Sequence, residues 1–308
     1  HLCDRRQRQM CIRDRINRVY VDRVHVKKAF AEYTAAYNAD DPKIKLKIDH
    51  TYRVAALCER IAKAAGMCAY DVELAWLSGM LHDVGRFEQI KRYNTFSDAD
   101  SVDHAKFGAD LLFKDGLIST FLKGMVKCTG YKSGALEDRY SSDGVFLYDR
   151  LNKSDMEMLE LAIRCHNMYR IPQGLNSREQ AFCNVLRDAD KVDIFKVNID
   201  TPLEEIYNTT TEELMKSDIT DEVLEAFDEE HCILKAIRRT PADTVIGHVS
   251  LAYELVYDES VRITVEQGYL AKLMHFHSDN EETNRKMAMV REKMDSYVKK
   301  RIGRKMHR

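Results

Sequence analysis

Apolar residues recur along this chain with the period of a helix, and the breaks between runs carry helix caps. Asp41-Pro42 sets an N-cap before a proline at the first helical position. Leu46, Val54, Leu57 and Ile61 then form one stripe, closed by Gly66. Asp71 to Val84 is apolar almost all round, through Val72, Leu74, Ala75, Trp76, Leu77, Met80 and Leu81. That pattern predicts a helix buried on every side and stopped by Gly85. A polar loop over Lys91 to Asp100 leads to a helix from about Ser101 to Asp115, closed by Gly116, and residues 117–128 read as helical too. Residues 129–150 are rich in Gly, Ser and Asp and read as a loop able to cover a site. Ser154-x-x-Glu157 and Ser177-x-x-Gln180 read as capping boxes that open helices running to about Asn167 and Asn198. Further starts follow near Thr201-Pro202, Thr220-Asp221, Thr240-Pro241 and Asn280. The pattern is all-α, with no internal repeat.

Several of these helices place His or Asp where the stripe asks for an apolar residue. His50 continues the row of Leu46, Val54, Leu57 and Ile61. His82 and Asp83 sit together near the end of the all-apolar helix. His104 shares a face with Phe107, Gly108 and Leu111, and His166 follows Leu159 and Ala162. Asp188, Asp190 and Asp193 interrupt an otherwise apolar helix in RDADKVDIF. One buried histidine is ordinarily a hydrogen-bonded core residue. A buried carboxylate is harder to place, because it needs a partner or a metal. Adjacent helical positions diverge by about 100°, yet His82 and Asp83 can both reach one ion at a helix end. Imidazole with carboxylate suits Mn, Fe, Co, Mg or Zn better than a thiolate site would.

Composition narrows the field without changing it. The chain has 308 residues, 44% of them hydrophobic, with only 13 Gly and 4 Pro. Few breakers and a sizeable core favour long helices over a turn-rich β architecture. A net charge of -2 supplies no global field for nucleic acid or an anionic membrane. Eight cysteines without CxxC spacing read as reduced core residues. No apolar run reaches the roughly 18 residues of a membrane span. A cytoplasmic protein is expected, with no membrane or nucleic-acid partner. Residues 1–18, with the aperiodic stretch RQRQMCIRDR, read as a non-native or disordered leader. No GxxxxGK[ST], GxGxxG or GxSxG occurs, so neither a phosphate-cradling glycine loop nor a nucleophile elbow is present.

His50, then His82-Asp83, then Asp190, set in LHDVGRFEQ, SVDHAKFGADLL and LRDADKVD, resembles the H…HD…D signature of the HD superfamily of metal-dependent phosphohydrolases. The resemblance covers about residues 42–198 and extends to the bacterial HD proteins with an HDIGRFEQ-type motif. It implies an HD-domain helical bundle, taken as residues 19–200, and the helical pattern over 201–308 is expected to be a C-terminal extension packed on that domain. It implies one or two divalent metal ions held by His50, His82, Asp83 and Asp190. Asp190 is preferred to Asp188 because family members show an Ala-Asp pair there. His104 and His166 resemble the extra ligands of two-metal members, and otherwise orient substrate phosphate or pack.

The implied activity is hydrolysis, by metal-activated water, of a small phosphorylated substrate such as a nucleotide. Asp83 would orient the water, and Arg86, Arg53 and Lys191 would meet the phosphate. Tyr93, Tyr131 and Tyr140 are placed to stack on a base. The string HDVGR, the His166-Asn167 pair and the lack of a GYP loop set the chain apart from the cyclic di-GMP hydrolases. The alarmone-hydrolase pattern is also missing. Two other readings stay open: a non-hydrolytic metal- and nucleotide-binding sensor, and a di-iron oxygenase of HD type.

Overall fold

The computed structural model describes residues 19–122, 126–128, 146–148, 151–207 and 209–303. The leader at 1–18 and most of the 129–150 loop, Tyr131 and Tyr140 included, lie outside the described residues. Two compact units divide between Leu186 and Arg187, inside one helix. The boundary near residue 200 expected from the sequence lies at the end of that same helix.

The first unit is an all-α bundle with a minor sheet. Its helices are α1 (Arg23–Thr34), α2 (Pro42–Ala64), α3 (Ala69–Leu81), α4 (Val84–Tyr93), α5 (His104–Ala109), α6 (Ile118–Leu122) and α7 (Lys153–Cys165), followed by the start of α8 (Ser177–Asp200). Three three-residue strands, β1 (Val19–Val21), β2 (Val126–Cys128) and β3 (Phe146–Tyr148), pair antiparallel in the order β1-β2-β3. The reading of 117–128 as one helix is therefore corrected: α6 ends at Leu122 and the chain is extended by Val126. Period alone does not separate a short apolar strand from a helix turn.

α3 is buried on every side, as its composition requires, and packs against α2 and α7. Gly79 permits the α2 approach, since a Cβ there would stand 2.6 Å from Ala55 Cα. Gly85 does not stop a helix. The buried helix ends four residues earlier at Leu81, and Gly85 lies within α4. Its reason is packing: a Cβ would meet His104 O at 2.5 Å and Gly108 N at 2.7 Å. α4 and α5 thus cross backbone to backbone. α4 also extends through Tyr93 into the segment expected to be loop, and Asn94 ends it in the left-handed region (φ 52). α5 begins at His104, capped by Asp103, and passes into a π-helical turn, Asp110–Lys114. Two predicted caps shift toward the N-terminus. Asn152 caps α7 through Asp155 N, and Asn176 Oδ1 accepts from Arg178 N and Glu179 N at the start of α8.

The second unit continues α8 and adds α9 (Leu203–Tyr207), α10 (Thr211–Lys216), α11 (Asp221–Asp228), α12 (Pro241–Val249), α13 (Asp258–Gln267), α14 (Tyr269–Met274) and α15 (Glu281–Gly303). Thr240 forms a capping box with Asp243 at the predicted start of α12. Phe195, Phe227, Ile246, Met287 and Met294 belong to its core. Asp188 is wholly buried here and accepts from Val256 N and Tyr257 N, both at 2.9 Å, and from Ser260 Oγ at 2.7 Å. It caps α13 from another helix, because Tyr257 offers no capping side chain. Burial pushes the Asp188 carboxyl above its ordinary range despite these donors.

Two stability outcomes follow. Gly85→Ala forces α4 from α5 and should cost about 1–3 kcal/mol in urea denaturation. Asp188→Ala strands two amides and a hydroxyl in the second unit and should cost about 3 kcal/mol, read by the same titration.

Candidate metal centre

The break after α3 builds the centre of the first unit. His82 is the C-cap of α3, just past Leu81, and Asp83 takes φ -106, ψ 15 before α4 restarts the helix. This kink turns both side chains toward one interior point, where His82 Nε2 lies 3.5 Å from Asp83 Oδ2. His50 comes from the buried face of α2, His104 from the first turn of α5, and His166 from the C-terminus of α7. All five side chains are buried.

The two oxygens of Asp83 face different histidine pairs. Oδ2 lies 3.6 Å from His50 Nε2 and 3.5 Å from His82 Nε2, and those two nitrogens are 3.3 Å apart. Oδ1 lies 3.6 Å from His104 Nε2 and 3.7 Å from His166 Nε2, which are 3.0 Å apart. Oδ1 is buried and has no hydrogen-bond partner.

The opposite side of three rings decides what these nitrogens present. His82 Nδ1 contacts Gly79 O at 2.8 Å and His166 Nδ1 contacts Ile163 O at 2.7 Å. A carbonyl only accepts, so both Nδ1 atoms carry the proton. His104 Nδ1 likewise donates to Asp98 Oδ2 at 2.7 Å. In the neutral rings each Nε2 therefore directs a lone pair inward. Burial, and then the nearby Arg86 charge, lowers His104 to about 4, so at neutral pH its ring is neutral. Two inward-facing nitrogens 3.0 Å apart beside a carboxylate oxygen without a hydrogen bond form a set that a shared cation would satisfy. Ligand atoms about 2.1 Å from a shared ion stand roughly 3–3.5 Å from one another. His82, Asp83 and His166 offer ligand atoms that all lie within 4.8 Å of one another, so the donor set fits a divalent cation.

Burial works against the Asp83 charge. Lys47, His82, His104 and Arg86, in that order, outweigh it and hold the carboxyl well below the usual range. Lys47 Nζ donates to Asp83 Oδ2 at 2.7 Å and lies 5.4 Å from the Phe96 ring centroid.

The remaining HDVGRFEQ residues make the wall. Arg86 Nη1 donates to Gln89 Oε1 and Phe96 O at 2.7 Å, and to Asp98 Oδ1 at 2.9 Å. Gln89 Nε2 donates to Asp98 Oδ1, Ser101 Oγ and Val102 O. Asp98 is held far below the carboxylate range, because the His104 hydrogen bond and the Arg86 charge outweigh burial. Phe87 sits in the core against Phe30 and Tyr33.

Arg86, expected at the phosphate, is thus occupied by the wall. Its buried Nε has no hydrogen-bond partner and faces Asp83 Oδ1 at 3.8 Å. Arg53 is half-buried on α2, three residues after His50. Asp190 and Lys191 lie on the part of α8 that belongs to the second unit. Lys191 is buried, and burial followed by Arg187 lowers its ammonium. Tyr93 is exposed at the end of α4 rather than on a loop.

Three residues that shape the centre escaped the sequence pattern. Lys47 had a signal, its place three residues before His50 on the same face. Gln89 had one as well, a polar residue inside the HD string. Asp98 lies in a polar loop and had none.

Among the described residues no helix is long and apolar enough to cross a membrane, and Cys58, Cys165, Cys183 and Cys232 are buried. No curated protein and no solved structure matches the chain. The family model described as HD domain matches residues 48–196, a span that holds His50, His82, Asp83, His104, His166 and Asp190. That match is consistent with the HD-domain superfamily.

Proposed function

We propose that the chain hydrolyses a phosphate ester or anhydride of a small molecule, a nucleotide being the favoured substrate class. The observation that carries this is Asp83, whose two oxygens each face a pair of imidazole nitrogens and one of which has no hydrogen bond. His50, His82 and Asp190 would hold one cation with Asp83 Oδ2. Where a second cation binds, His104 and His166 would hold it together with Asp83. Asp188 is committed to capping α13, which supports Asp190 as the carboxylate from RDADKVD. Mn, Fe, Co, Mg and Zn all suit these donors. Such ions supply Lewis acidity toward water and toward phosphoryl oxygen.

The chain's own groups do the rest. The carbonyls of Gly79 and Ile163 and the Asp98 carboxylate hold three histidines in the ligating tautomer. Asp83 stays ionised and accepts a hydrogen bond from the attacking water. Arg86 holds the wall through Asp98 and Phe96 and keeps a positive field beside Asp83. Arg53 and Lys191 remain the proposed phosphate contacts, where a cation stabilises developing charge.

The test is phosphate release from a panel of nucleotides and bis-p-nitrophenyl phosphate with Mn²⁺, Co²⁺, Fe²⁺ or Mg²⁺, alongside metal analysis of the purified protein. Metal-dependent turnover that falls on the order of 100-fold or more in Asp83→Ala is expected. Stoichiometric metal without phosphate release from any substrate overturns the hydrolase reading. Oxygen consumption by the iron-loaded protein would then select the oxygenase, and tight nucleotide binding without turnover the sensor. Asp98→Asn, which weakens the anchor of His104, should lower metal affinity about 10–100-fold, measured by Mn²⁺ titration.

A further inference from the structure

The two halves of the Asp83 carboxylate are not equivalent. On the His104–His166 side, Oδ1 has no hydrogen-bond partner. On the His50–His82 side, Oδ2 already carries a cation, the Lys47 ammonium at 2.7 Å. Lys47 is not sealed in. Its side chain is 17% exposed, against 2% for Asp83, and the ammonium lies beside the half-buried Phe96 ring. A four-carbon stem with one end at the surface can withdraw without unfolding α2. A divalent ion bound to the same oxygen at about 2 Å would stand within about 5 Å of this ammonium, where like charges repel strongly.

We propose that Lys47 is an exchangeable counterion: it neutralises Asp83 Oδ2 while the His50–His82 half is metal-free, and a divalent cation enters that half only by displacing it. The inference rests on the metal-centre reading above. Lys47 is on this account a positioning residue that holds the Asp83 carboxylate charged and in place. It also sets the affinity of one half of the centre and leaves the other alone.

The experiment is Mn²⁺ titration of the metal-free full-length chain, followed by calorimetry and by electron paramagnetic resonance of free Mn²⁺. It compares wild type, Lys47→Gln and Lys47→Arg, each also in a His166→Ala background that leaves only the His50–His82 half. Removing the competing charge should tighten Mn²⁺ binding about tenfold in Lys47→Gln, most plainly with His166→Ala, while Lys47→Arg stays within about threefold of wild type. The Mn²⁺-induced rise in melting temperature should grow in the same order, which also shows that the variants fold. Unchanged or weaker binding in Lys47→Gln overturns the proposal and leaves Lys47 a structural partner of Asp83. No Mn²⁺ uptake by wild type means that the metal-centre reading has failed, and the proposal with it.

Discussion

A carboxylate buried in an apolar bundle must be compensated, and the arrangement of the first unit follows from how Asp83 is compensated. Its charge sits at a kink between two helices, with 2% of the side chain exposed. Desolvation would neutralise such a group unless cations or donors surround it. Lys47 and Arg86 lie on one side and the other, and four histidines from four separate elements close the remainder. No single helix could supply this set, because residues along one helix diverge in direction. The bundle of α2, α3, α4, α5 and α7 is therefore also the device that makes the centre.

Around that charge the polar groups are arranged in a definite order. Three of the histidines are oriented from behind, by two backbone carbonyls and by Asp98. Asp98 is held by Arg86 and Gln89, and these two belong to the helix that starts at the Asp83 kink. One short string thus contributes His82 and Asp83 to the centre, a glycine for close helix contact and two side chains that fix the wall. Buried networks of this kind are stable only when their members are satisfied. Here the unsatisfied atoms, Asp83 Oδ1 and Arg86 Nε, face each other at 3.8 Å within the proposed ion site. Open polar positions that meet at one buried point suit a bound ligand.

The second unit uses a buried carboxylate differently. Asp188 is saturated by two amides and a hydroxyl and serves to cap α13. Three acidic residues in RDADKVD look alike in sequence, yet hydrogen bonding assigns Asp188 to architecture. Spacing alone does not make that separation.

Much of this was legible in the chain. The all-α class, the buried character of α3, the starts of α2, α11, α12 and α15, and the misplaced polar residues His50, His82, Asp83, His104 and His166 follow from periodicity and caps, which are local properties. Boundaries slipped where neighbours compete: Asn152 and Asn176 took the caps expected of Ser154 and Ser177, and the segment near Val126 became a strand through pairing with distant residues. Only the tertiary structure decided that Gly85 is a contact and not a helix stop, that Arg86 holds the wall, and that Lys47, Gln89 and Asp98 shape the centre. The reason is physical: residue type and period determine which face is buried, whereas the partner of a buried charge is set by helices far apart in sequence meeting at one point.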